Sequence, residues 1–155
     1  MMGYKLFSLE EARQLVPSLR DMLDQAQFEL AEKLELVRAA NECYEQAEQQ
    51  VDALGENDDV EPLRAARASF QEAIYALSSA QNSYVNRLNY WVDRITETGV
   101  VLRDIHDGLL DFPCEENGFS YLLCWRKDEN DIEFWHLAND GFIGRKPLAA
   151  LSEYR

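Results

Sequence analysis

Ile95-Thr96-Glu97-Thr98-Gly99-Val100-Val101-Leu102 is where the chain changes its period. Before it, apolar residues recur every three or four positions, as they do on one face of a helix. After it they alternate or cluster in short runs between turn residues, as they do in strands. Gly99 sits at the boundary and suits the residue after a helix's last turn, where the backbone takes a positive φ. The fold class that follows is α+β: a long antiparallel two-helix hairpin of coiled-coil type, then a small C-terminal antiparallel β unit.

Working back from Gly99, a stripe of Leu63, Ala66, Phe70, Ala73, Leu77, Ala80, Tyr84, Leu88, Trp91 and Ile95 marks one helix, with Pro62 suited to its first turn. Gly55-Glu56-Asn57-Asp58-Asp59 is a stop-and-turn signal. Ahead of it runs a second stripe of Leu19, Leu23, Ala26, Leu30, Leu34, Val37, Ala40, Tyr44, Ala47, Val51 and Leu54. Alanine alternating with larger residues suggests close helix packing of coiled-coil type. Ser8-Leu9-Glu10-Glu11 has the spacing of a capping box, so a first helix is expected to begin near Leu9. Pro17 removes a backbone donor and disfavours a helical Val16, so a break or kink is expected there.

Working forward, Val100-Val101-Leu102 opens an extended segment. Phe119–Trp125 and Ile132–Leu137 read as strands joined by the polar turn Lys127-Asp128-Glu129-Asn130-Asp131. The chain therefore divides into a helical part, 1–99, and a β part, 100–155, expected to fold as one domain. Phe119, Tyr121, Leu123 and Trp125 share one face of their strand, and Ser120, Leu122 and Cys124 share the other. Both faces are largely apolar, so each needs a cover. The helical hairpin can supply one; the C-terminal tail, the first helix or a second copy of the chain must supply the other. The last of these is the reason to expect a homodimer.

Composition narrows the function classes. The formal net charge is −14. Residues 1–99 carry 18 acids against 9 Lys/Arg, and residues 100–155 carry 11 against 6, so neither part offers a basic face for phosphates. Nucleic acid and anionic membranes are excluded as partners on this ground. No apolar run reaches the ~18 residues of a membrane span, and the acidic start does not resemble an export signal. With three well-separated cysteines, reduced thiols and a cytoplasmic location are expected.

The residues that could carry chemistry lie between Gly108 and Arg145. With an odd-numbered hairpin loop, for example Arg126 opposite Ile132, Cys124 lies opposite Phe134, and His136 is its diagonal neighbour on the same face. With an even loop the two point to opposite sides. Asp111 on an adjacent segment could add a carboxylate, and an Asp111/Cys124/His136 set suits zinc or a similar divalent metal. The plain alternative is a buried cysteine acting as a small hydrophobe and a hydrogen-bonded structural histidine. A Cys124/His136 nucleophile pair is a further reading. His106, flanked by Asp104 and Asp107, reads as solvated. Asp111 and Arg145 are expected to form an ion pair tying the β part to its last loop, or else Arg145 holds an anionic ligand in a bidentate fork. Trp125 and Trp135 need partners for their indole N–H groups, so a pocket or interface edge is expected near them.

Leu9-Glu10-Glu11-Ala12 with Pro17 and Leu19, then Gly108-Leu109-Leu110-Asp111-Phe112-Pro113, Leu123-Cys124-Trp125, Trp135-His136 and Gly141-Phe142 with Arg145 form a combined pattern. In this the chain resembles the bacterial family known as domain of unknown function 2203. The family's Gly-Glu pair after the Leu-Cys-Trp strand is replaced here by Asp128 and Glu129. The resemblance implies that the motif residues form one unit, with Asp111, Cys124, His136 and Arg145 converging. It brings no activity with it.

These residues order three functions. The first is a non-catalytic interaction or small-ligand-binding module, with Asp111, Trp125, Trp135 and Arg145 as ligand or interface residues, a protein partner or self-association, and no required cofactor. The second is a metal-binding protein using Asp111, Cys124 and His136, with hydrolase chemistry as an option in which Glu133 serves as base. The third is a structural coiled-coil protein in which the β part only caps the hairpin.

Overall fold

A computed structural model describes residues 5–55 and 60–154. Two helices, α1 (Leu9–Leu54) and α2 (Val60–Thr96), precede five strands: β1 (Val101–Asp104), β2 (Leu109–Glu116), β3 (Phe119–Arg126), β4 (Phe134–His136) and β5 (Lys146–Pro147). A 3₁₀ helix, Leu148–Tyr154, follows. The strands form one antiparallel sheet in the order β1-β2-β3-β4-β5. The class is α+β, as the change of period at Gly99 implied. Beyond Gly55, the turn expected over residues 55–59 lies outside the described residues.

By its contacts the chain forms two compact units, one of residues up to Gln27 together with those from Tyr90 onward, the other Phe28–Asn89. In the second, the two long helices pack along the seam the sequence indicated. Ala47, Ala66 and Ala73 are buried in it, Tyr44 meets Phe70 at 5.3 Å, and Glu29 pairs with Arg87 across the helices. One stripe residue departs from the expectation: Leu34 is 53% exposed. The seam repeats through Leu30, Val37, Tyr44 and Val51, with Lys33, Ala40, Ala47 and Leu54 as the intervening set, and Leu34 falls one position beside it.

The first unit carries the sheet. Ser8 caps α1 as its sequence indicated: its Oγ accepts from Glu11 N at 3.0 Å, and Glu11 Oε1 accepts from Ser8 N at 3.3 Å. Pro17 does not break the helix; α1 is continuous through it. Pro17 is exposed, so the carbonyl it leaves without a donor can be hydrated, while Ala12, Val16, Leu19 and Leu23 bury the opposite side of the same turns. That burial contributes more than one missing hydrogen bond costs.

One face of the sheet is the core of this unit. Leu110, Phe112, Leu123, Trp125 and Trp135 are at most 1% exposed, and direct pairing of Leu110 with Trp125 and of Phe112 with Leu123 places them side by side. Phe7 meets Phe112 edge-on at 5.3 Å, and the Arg20 guanidinium of α1 lies over Trp125 at 5.3 Å. Arg13 and Arg20 also donate to the carbonyls of Ile132 and Glu129. These bonds tie the β3–β4 connection to α1. Gly108 makes the β1–β2 turn at φ +68°, where a Cβ would sit 2.7 Å from that of Lys127. No described helix is long and apolar enough to cross a membrane.

Candidate functional site

The other face of the sheet carries the polar residues. Asp111 on β2 lies directly opposite Cys124 on β3, and Cys124 lies opposite Phe134 on β4. Residues directly opposite share a face, and so does the diagonal neighbour two positions along. His136, opposite Leu122, is that neighbour. This is the register of the odd-loop alternative, so Cys124 and His136 do share a face. Asp111, Cys124 and His136 bring a carboxylate oxygen, a sulfur and an imidazole nitrogen within 4.8 Å of one another, and all three are buried.

The outward-turned atoms of this cluster are held by other groups. His136 Nδ1 lies 2.7 Å from the Leu137 carbonyl oxygen, and Nε2 lies 3.0 Å from Asp111 Oδ1. The second carboxylate oxygen, Asp111 Oδ2, accepts from Arg103 Nε at 2.7 Å. Arg103 is the one member that reading the sequence missed. Register between β1 and β2 shifts between Leu102 and Asp104, and Arg103 falls at that irregularity beside Asp111. A signal existed: Arg103 is the only basic Lys or Arg between residues 96 and 125, hence the nearest cation for a strand carboxylate there.

The expected Asp111–Arg145 ion pair is therefore replaced. Arg145 precedes β5, on the far side of β3 and β4 from Asp111. It pairs instead with both carboxylate oxygens of Glu129 at 2.9 Å. Its guanidinium lies over the rings of Phe134 at 4.2 Å and Phe142 at 4.0 Å and reaches the Cys124 thiol. Arg145 thus converges on the cluster through Cys124, and Arg145 and Phe142 lie over this face of the sheet. Cover by the C-terminal tail was one of the options open from the sequence. It removes the need for a second copy of the chain there.

Two further expectations change. Trp125 and Trp135 are both 0% exposed. Their indole N–H groups donate to the carbonyls of Glu129 and Pro147, each at 3.0 Å, so the chain itself meets the need that suggested a ligand. Glu133 is exposed and is not a member of the Asp111/Cys124/His136 group. The nucleophile reading weakens as well. Burial, reinforced by the Asp111 carboxylate, pushes the Cys124 thiol up to about 12, so in the ion-free protein it stays protonated at neutral pH. The three cysteines are free, Cys43 exposed and Cys114 and Cys124 buried.

The profile of a family described as an uncharacterized conserved protein, DUF2203, matches residues 5–148. The chain belongs to that family. Its match spans both helices, all five strands and every residue of the buried cluster. No curated protein and no solved structure matches the chain.

Proposed function

We propose that this DUF2203 member is a non-catalytic binding module whose ligand is held by the polar face of its sheet. One observation carries the reading: Asp111, Cys124 and His136 meet within 4.8 Å beneath a covering guanidinium. Their hydrogen-bond partners, Arg103 and the Leu137 carbonyl, lie on the outer side of the group and leave the three ligand-type atoms facing one another. With Asp111 1% and His136 2% exposed, an ion-sized ligand is favoured over an organic one. A Cys124 thiol that burial keeps protonated is a poor nucleophile, which favours binding over turnover.

Native mass spectrometry tests this directly. Protein prepared without chelator or affinity metal, and incubated with cell extract, should carry a discrete mass excess over its polypeptide. That excess should vanish in His136→Ala. A native mass equal to the bare polypeptide would overturn the reading.

A further inference from the structure

We propose that the ligand is a single zinc-class divalent ion bound by Asp111, Cys124 and His136. The inference rests on the binding-module reading and names its ligand. Hydrogen bonding around His136 is the starting point. Both ring nitrogens face oxygen acceptors, the Leu137 carbonyl at 2.7 Å and Asp111 Oδ1 at 3.0 Å. A neutral imidazole has one N–H, and a backbone carbonyl can only accept, so that hydrogen belongs on Nδ1. In that neutral form Nε2 keeps a lone pair beside a carboxylate oxygen, a place that a second ring proton or a metal ion can fill.

The surrounding groups are those that orient metal ligands. A histidine that ligates through one nitrogen commonly donates from the other to a carbonyl, and ligating carboxylates are themselves hydrogen-bonded. Leu137 O and Arg103 fill these two places, leaving Nε2 and Oδ1 turned toward each other. Cys124 Sγ completes the trio. Ligand bonds of about 2.0–2.3 Å put the ligand atoms of a tetrahedral site about 3.3–3.6 Å apart. The present separations bracket that value, so small side-chain rotations suffice. One sulfur, one nitrogen and one carboxylate select a borderline-soft ion over calcium or magnesium, which take oxygen ligands.

Charge balance agrees. A thiolate and a carboxylate match the two charges of the ion, Arg145 is already compensated by Glu129, and the remaining charge is on Arg103, whose side chain is 44% exposed to water. Binding releases the Cys124 proton to solvent, and the sulfur–metal bond replaces the S–H bond. A fourth position is left for water or for a ligand from outside the chain.

Cobalt(II) is the probe, because a thiolate ligand gives it a charge-transfer absorption that carboxylate and imidazole ligands do not. Chelator-treated protein titrated with Co²⁺ should develop that band to saturation at one equivalent, and Zn²⁺ should displace it. Cys124→Ser should lose the band. Should that variant fail to fold, the Cys43→Ala/Cys114→Ala chain keeps the experiment decisive, since it should retain the band in full. No band in the wild-type protein, with a native mass excess still present, would overturn the metal assignment and leave the binding module standing. No band and no mass excess would overturn both.

Discussion

His136 Nε2 lies 3.0 Å from Asp111 Oδ1 across a strand boundary, with the imidazole 2% and the carboxylate 1% exposed. In the ion-free chain this contact joins Arg103 to His136 through Asp111. Removing the shared carboxylate is then costly. Asp111→Ala removes the partner of His136 Nε2, leaving the buried ring held only at the Leu137 carbonyl, and strands the Arg103 guanidinium, which is only partly exposed. Breaking a buried pair from one side costs about 3–5 kcal/mol. Since Arg103 can rehydrate, the lower end is expected, about 3 kcal/mol, read as a shift of the urea midpoint of chelator-treated protein. A loss under about 1 kcal/mol would show that the contact holds little together.

Arg145 is predicted to resist replacement by lysine. Its planar group both clasps Glu129 and lies over Phe134 and Phe142, and an ammonium can do neither in the same way. Arg145→Lys should therefore lose about 1–3 kcal/mol, comparable to Arg145→Met. The double-mutant cycle with Glu129→Gln should show coupling above about 0.5 kcal/mol. Additive effects would contradict the paired geometry.

Alkaline pH should destabilise the ion-free protein through its buried thiols. Burial pushes Cys114 from an ordinary 9.0 up to about 11 and Cys124 up to about 12. The folded state thus holds protons that the unfolded chain has begun to release. Stability from these groups is complete below pH 9 and is lost as pH rises toward 11 and 12. The slope is at most about 1.4 kcal/mol per pH unit for each thiol. Comparing wild type with Cys114→Ala isolates one share: the variant's stability should fall less steeply above pH 9. Parallel pH profiles would contradict it.

Pro17 offers a change in the other direction. It lies inside α1, exposed, and leaves a carbonyl without its helical donor. Pro17→Ala restores the donor, and the helix-interior difference between the two residues is about 3 kcal/mol. Since proline also restricts the unfolded chain, a net gain of about 1–2 kcal/mol is expected in thermal or urea unfolding. An unchanged or lower midpoint would mean that the proline is accommodated without cost.

Local signals were legible where one interaction decides the outcome. The Ser8/Glu11 capping box and the stop at Gly99 each depend on neighbours close in sequence, whereas the turn over 127–131 left both parities of Cys124 and His136 open until the strand register set them on one face. Readings failed where a distant element intervenes. Helix α1 continues through Pro17 because the far side of those turns is buried. Asp111 takes Arg103 because β1, not the final loop, lies beside β2. Trp125 and Trp135 needed no ligand because Glu129 and Pro147 carbonyls come back over the sheet edge to meet them.

The central claim is that Asp111, Cys124 and His136 together hold one ion, and calorimetric titration of Zn²⁺ into chelator-treated protein tests it most directly. The account predicts one saturable site per chain, with proton release on binding and loss of the site in His136→Ala. A folded wild-type protein that takes up no zinc saturably would contradict it.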